Sequence, residues 1–142
     1  MGSWDKQFSV TGFEELLAEV ESDPRMALER VRGWVRGHLS SWKPELKHFH
    51  SSWGWAEGYE GRAGTSTSLL SVFVIPEPGH ERAALSFTRS GLEVVRNAEL
   101  PKSIHLEIRN GTCVRDVVWV ECSLRVLADG DGVCSLLEVL AQ

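Results

Sequence analysis

The chain has 142 residues, 42% hydrophobic and 25% charged, a length and balance that mark residues 1–142 as a single folded domain rather than a disordered segment. A chain of this size buries about two-thirds of the surface its unfolded form exposes, so it needs neither disulfide nor metal for stability. The net charge is −5, and the signs are mixed: residues 1–62 carry 8 Lys+Arg and 10 Asp+Glu, residues 63–142 carry 7 and 10. No basic footprint exists in the sequence, which argues against a nucleic-acid partner.

No apolar run reaches the roughly 18 residues of a membrane span, and no charged stretch leads into an apolar signal core. A cytoplasmic protein with no membrane partner is expected. The three cysteines, Cys113, Cys122 and Cys134, lack the paired spacing of structural zinc and are expected as reduced thiols in buried strands.

Thr11-Gly12-Phe13-Glu14 has the form of a capping box, so a short helix should follow, burying Phe13, Leu16, Leu17 and Val20. Asp23-Pro24 offers a second start, with Asp as N-cap and Pro at the first helical position. Ala27, Leu28, Val31, Trp34, Val35, His38 and Leu39 then form an apolar stripe at helical spacing, ending near Ser40 ahead of Pro44.

Beyond residue 46 the pattern becomes extended, and His48 to Trp55 reads as the first strand. Thr65 to Pro76 is a strand closed by the turn Pro76-Glu77-Pro78-Gly79. Arg82 to Thr88 follows with Ala83, Leu85 and Phe87 on one face, and Ser90-Gly91 reverses the chain into Leu92 to Val95. Ile104, Leu106 and Ile108 alternate with polar residues as in a half-buried strand, and Asn110-Gly111 suits a two-residue hairpin turn. A long strand from Thr112 carries Val118, Val120, Cys122, Leu124 and Val126 on one face, bent by a bulge near Arg115-Asp116. Asp129-Gly130-Asp131-Gly132 reads as a turn into a last strand, Val133 to Leu140, although Val114 to Ala128 and Val133 to Leu140 are apolar enough for helix as well. The fold class is α+β: two N-terminal helices packed on a curved, mostly antiparallel β-meander of five to seven strands.

Two constellations carry possible chemistry. His48 and His50 share one face of an extended segment, and with His80 or Glu57 they could hold a divalent metal while leaving positions open for substrate. A His-x-His strand with a later His is how double-stranded β-barrel cupins draw their ligands. Glu57 falls seven residues after His50 and His80 follows Pro78-Gly79, departures from that pattern, so no family is assigned. The alternative is that both histidines are polar residues at a strand start. Trp42, Trp53, Trp55 and Tyr59, interleaved with Gly54, Gly58 and Gly61, offer flat faces for a ligand or partner, or else seal the second helix against the first strand.

No nucleophile elbow, phosphate-binding loop or complete calcium loop occurs. No catalytic residue is assigned and no cofactor is expected beyond the possible divalent metal. The expected function is a non-catalytic binding or protein-interaction module, a small regulatory, chaperone-like or immunity-type protein with a protein partner or a homodimer contact. The alternatives are a small-molecule pocket lined by Trp and a metal-dependent enzyme using the His-x-His pair.

Overall fold

The computed structural model describes residues 12–39, 42–49, 53–60 and 68–141. Two helices lead, α1 (Phe13–Leu17) and α2 (Ser22–His38). Phe13, Leu16, Leu17 and Val20 are all buried, and α2 buries Ala27, Leu28, Val31, Trp34 and Val35 of its stripe, whereas His38 is exposed and Leu39 half-buried where the helix ends. The capping differs in detail. Thr11 lies outside the described residues, Gly12 is the N-cap of α1, and α2 begins behind Glu21, which leaves Asp23 and Pro24 in its first turn. There the aspartate faces the positive end of the helix dipole and the proline lacks only an N–H that has no helical acceptor.

Four strands follow as a meander: β1 (Pro44–Phe49), β2 (Gly54–Glu60), β3 (Leu69–Ile75) and β4 (Arg82–Thr88). Two short helices, α3 (Arg89–Arg96) and α4 (Lys102–Arg109), lead to the hairpin β5 (Thr112–Val114) and β6 (Val117–Ser123), and α5 (Leu127–Leu140) ends the chain. The six strands form one open, fully antiparallel sheet in the order β1-β2-β3-β4-β6-β5. It is α+β as expected and is not closed into a barrel.

Several local expectations are corrected, each by packing. His48 to Trp55 is not one strand: it crosses the β1–β2 hairpin, where Gly54 takes a φ of 66° and His48 pairs with Trp55 across the strands. Leu92 to Val95 is helical, because Thr88 Oγ1 accepts from Gly91 N at 3.2 Å and caps α3. Ile104 to Arg109 is also helical. Ile104 and Ile108 are buried one turn apart while Leu106 is 50% exposed, so a helix face accounts for the burial where the alternation suggested a strand.

Asn110-Gly111 ends α4, and Gly111 lies so close to β6 that a Cβ would sit 2.8 Å from Trp119 O. The β5–β6 turn falls instead at Arg115-Asp116, with Arg115 at φ 57°, where a bulge was expected. Asp129-Gly130-Asp131-Gly132 lies in α5. Asp129 accepts from the Val126 and Arg125 amides, Asp131 pairs with Arg30 at 2.8 Å, and a Cβ on Gly130 would meet Ala27 O at 2.9 Å. Val133 to Leu140 is therefore helix, and Cys134 is a helical rather than a strand residue. All three cysteines are free; Cys122 and Cys134 are buried but Cys113 is exposed on the edge strand, against the expectation of burial.

The sheet has two unlike faces. On the inner one, Tyr59, Val72, Leu85 and Val120 stand in register across four strands, and they share one core cluster with buried side chains from the helices. The outer face carries a separate cluster made of strand and turn residues, with no helical member among the described residues. Its edges are poor templates for strand addition: β5 is three residues long, and β1 opens with Pro44 and carries Glu45 and Lys47.

Candidate functional site

The structure separates the residues that a metal site would need. Glu57 lies on the helix side of β2, only 4% exposed, and its carboxylate is fully engaged. Oε1 accepts from Arg32 Nε at 2.7 Å and from the Tyr59 hydroxyl; Oε2 accepts from Arg32 Nη2 at 3.0 Å and Arg36 Nη2 at 3.3 Å. Arg32 also reaches Glu14 at 2.6 Å and lies over the Phe13 ring, which ties α1, α2 and β2 together.

Burial opposes the charge on Arg32, but its hydrogen bonds with Glu57 and Glu14 prevail and hold its pKa above the ordinary value. Burial, then the hydrogen bond to Glu57, pushes the Tyr59 hydroxyl up to about 12. His80 sits in the β3–β4 turn with Nδ1 3.3 Å from Glu77, and His48 meets the Trp55 ring edge-on at 5.1 Å. His50 lies outside the described residues. Among the described residues no three His, Cys, Asp or Glu side chains converge as metal ligands.

The tryptophan set also divides. Trp42 and Tyr59 belong to the inner core and help seal the helices against the sheet, and Trp55 is buried on the same side of β2, against His48. Trp53 faces the other way. It joins Phe49, Phe73 and Trp119 in a continuous patch on the outer face, with neighbouring ring centroids 5.1 to 6.1 Å apart in edge-on and tilted arrangements. Such pairs contribute about 0.5–1.5 kcal/mol each beyond the area they bury.

Period two explains the patch. Phe73 lies between Val72 and Val74, and Trp119 between Val118 and Val120; with the valines turned inward, the rings must point out. Small residues make the floor: Ala56 and Ala84 are fully buried, and a Cβ on Gly58 would stand 2.6 Å from the Phe73 ring. Phe49, Trp53 and Trp119 remain only half-buried. Sequence reasoning missed Phe49, Phe73 and Trp119, although the alternation that assigned Val118, Val120 and Cys122 to the core also carries the signal for Trp119.

A hollow of about 280 Å³ opens beside the patch, between Trp53 and Trp119, with Glu107, Glu121, Asn110 and Thr112 on its rim. Burial, reinforced by the charges of Glu121 and Asp129, raises the pKa of Glu107. Two indole faces beside two carboxylates favour a cationic or amphipathic side chain, since the ring faces and the acids attract the same sign of charge. Arg82, 3% exposed, holds Glu121 in place at 3.0 Å and spans to Glu77 at 2.7 Å. Comparison with protein-family models, with curated proteins and with solved structures finds no match, so this geometry alone bears on function.

Proposed function

We propose that this chain is a non-catalytic protein-interaction module, and that it binds a partner protein through the outer face of its sheet. The observation that carries the reading is the group of half-buried rings Phe49, Trp53 and Trp119, packed around the buried Phe73 on a face that no described helix covers. Aromatic rings on a rigid sheet bring large contact area at low entropic cost, and Trp is enriched among residues that dominate binding energy. The blunted edges favour the face over strand addition as the means of contact. The acidic rim favours a partner segment that sets an apolar anchor beside Lys or Arg.

Among the described residues no helix is long and apolar enough to cross a membrane, and the free thiols agree with a reducing compartment, which supports action in the cytoplasm. The test is quantitative co-purification from the native cell, comparing the unaltered chain with a Trp53→Ser/Trp119→Ser variant of matching circular dichroism. A protein recovered in near-stoichiometric amount with the former and lost with the latter is expected. Equal recovery with both would refute the assignment to this face.

A further inference from the structure

A groove of about 990 Å³ lies on the opposite side of the sheet from the aromatic patch, between α3 and α4 and beside β5. Its charge runs against that of the chain. In a protein of net charge −5, three arginines line it, Arg89 and Arg96 from α3 and Arg109 from α4, against the single acid Glu93.

Helix geometry arranges them. Arg89, Leu92, Glu93 and Arg96 fall at i, i+3, i+4 and i+7, so they form one stripe along α3, with the two guanidinium-bearing residues about 10 Å apart along the axis at 1.5 Å rise per residue. Arg109 ends α4 on the facing wall and has no acidic partner among the described residues. Arg89 Nε donates to Arg115 O at 2.7 Å, which steadies that guanidinium at the rim, while Arg96 makes only a 3.4 Å contact with Glu93. The floor is apolar, formed by Leu92, Ile108 and Val118.

We propose that this groove is a second binding site, whose ligand is an acidic peptide segment of a partner protein, with carboxylates spaced along it and an apolar residue between them. A compact phosphate would need donors that converge on one point, and here the positive groups are spread along both walls. An extended chain advances about 3.3 Å per residue, so acidic side chains two to four residues apart reach guanidiniums with this spacing while an intervening apolar side chain meets the floor. The site is independent of the aromatic face.

The test uses the full chain and a fluorescein-labelled decapeptide of alternating Glu and Leu at low ionic strength. Fluorescence anisotropy is expected to rise saturably, and the same peptide with Gln in place of Glu should bind much more weakly. Arg96→Glu and Arg109→Glu, both at exposed positions, should each weaken binding roughly tenfold or more, and added salt should weaken it further. Trp119→Ser should leave it unchanged. Bound peptide should also slow alkylation of Cys113, the exposed thiol in the groove.

Absence of saturable binding, equal affinity for the Gln peptide, or unaltered affinity in both charge-reversed variants would overturn the proposal. Capture of a labelled oligouridylate in preference to the acidic peptide would overturn it in favour of a nucleic-acid groove. Loss of peptide binding in Trp119→Ser would also overturn it, placing the peptide on the outer face.

Discussion

Replacing Glu57 with Gln keeps the side chain's shape and removes its charge, at the point where four donors converge on two oxygens. Either orientation of the amide turns an N–H toward guanidinium or hydroxyl donors that had an acceptor before. The two arginines do not weigh equally. The Arg36 side chain is 48% exposed, so water screens its contact to a few tenths of a kcal/mol, whereas that of Arg32 is 12% exposed and loses the partner that offsets its burial. Breaking a buried pair from one side costs about 3–5 kcal/mol, and the low end applies because Arg32 keeps Glu14.

The expected loss is about 3 kcal/mol, a large part of the roughly 5–15 kcal/mol that holds a domain folded. At this chain length that corresponds to a fall in Tm of about 10 °C. Urea unfolding followed by circular dichroism would measure it, with the denaturant slope unchanged. Replacing both partners, Glu57→Leu with Arg32→Met, should cost less than the sum of the two single changes, because no charge is then stranded. A loss below about 1 kcal/mol for Glu57→Gln would refute the account, since it would mean that water already reaches the pair.

Tyr59 is the chain's one tyrosine, so its ionisation can be read directly from near-ultraviolet absorbance. Its folded pKa of about 12 lies above the ordinary 10.0, so its contribution to stability is full below pH 10 and is lost as the pH rises through 12. A native midpoint near 10 would contradict the burial of the hydroxyl. Toward an alkylating reagent, one thiol, Cys113, should react quickly in native protein, and Cys122 and Cys134 only after unfolding, because burial raises both thiols, that of Cys134 to about 11. Two fast thiols in the native state would be inconsistent with this packing.

Glycine-to-alanine changes should split by position. Gly33 has open space around a new Cβ, and Gly33→Ala should stabilise by about 0.5–1 kcal/mol through helix propensity. Gly130→Ala should instead destabilise by about 1–2 kcal/mol, because the backbone of Ala27 cannot yield. Thermal melts of the two variants moving in the same direction would show that α2 and α5 do not meet at Gly130.

The parts of the fold legible in the sequence were those where a local rule and burial agreed. The α2 stripe from Ala27 to Val35 and the alternation of Ala83, Leu85 and Phe87 each bury the set that their period names. The losses at glycines share one cause. Gly91, Gly111, Gly130 and Gly132 resemble turn residues, yet their missing side chains serve close approach between elements, as when a Cβ on Gly132 would meet Ile104 at 3.2 Å. Chain reversal and close packing select the same residue type. For Ile104 to Ile108 the two periods coincide over so short a span that only the exposure of Leu106 separates them.

For the candidate sites the division is similar. Local sequence sufficed to locate an aromatic-rich segment around Trp53 and Trp55, because ring content and alternation are properties of neighbouring residues. It could not show that Trp55 turns to the helices while Trp53 joins Phe73 and Trp119, since that grouping depends on strand order and register across the sheet. Nor could it show that Glu57 is taken by Arg32, or that Arg89, Arg96 and Arg109 share one groove. What the chain determined by itself was the α+β class, the two leading helices and the central strands, because those follow from the burial of periodic apolar faces. Which side chains meet was decided by tertiary structure alone, because packing brings together residues that no local spacing relates.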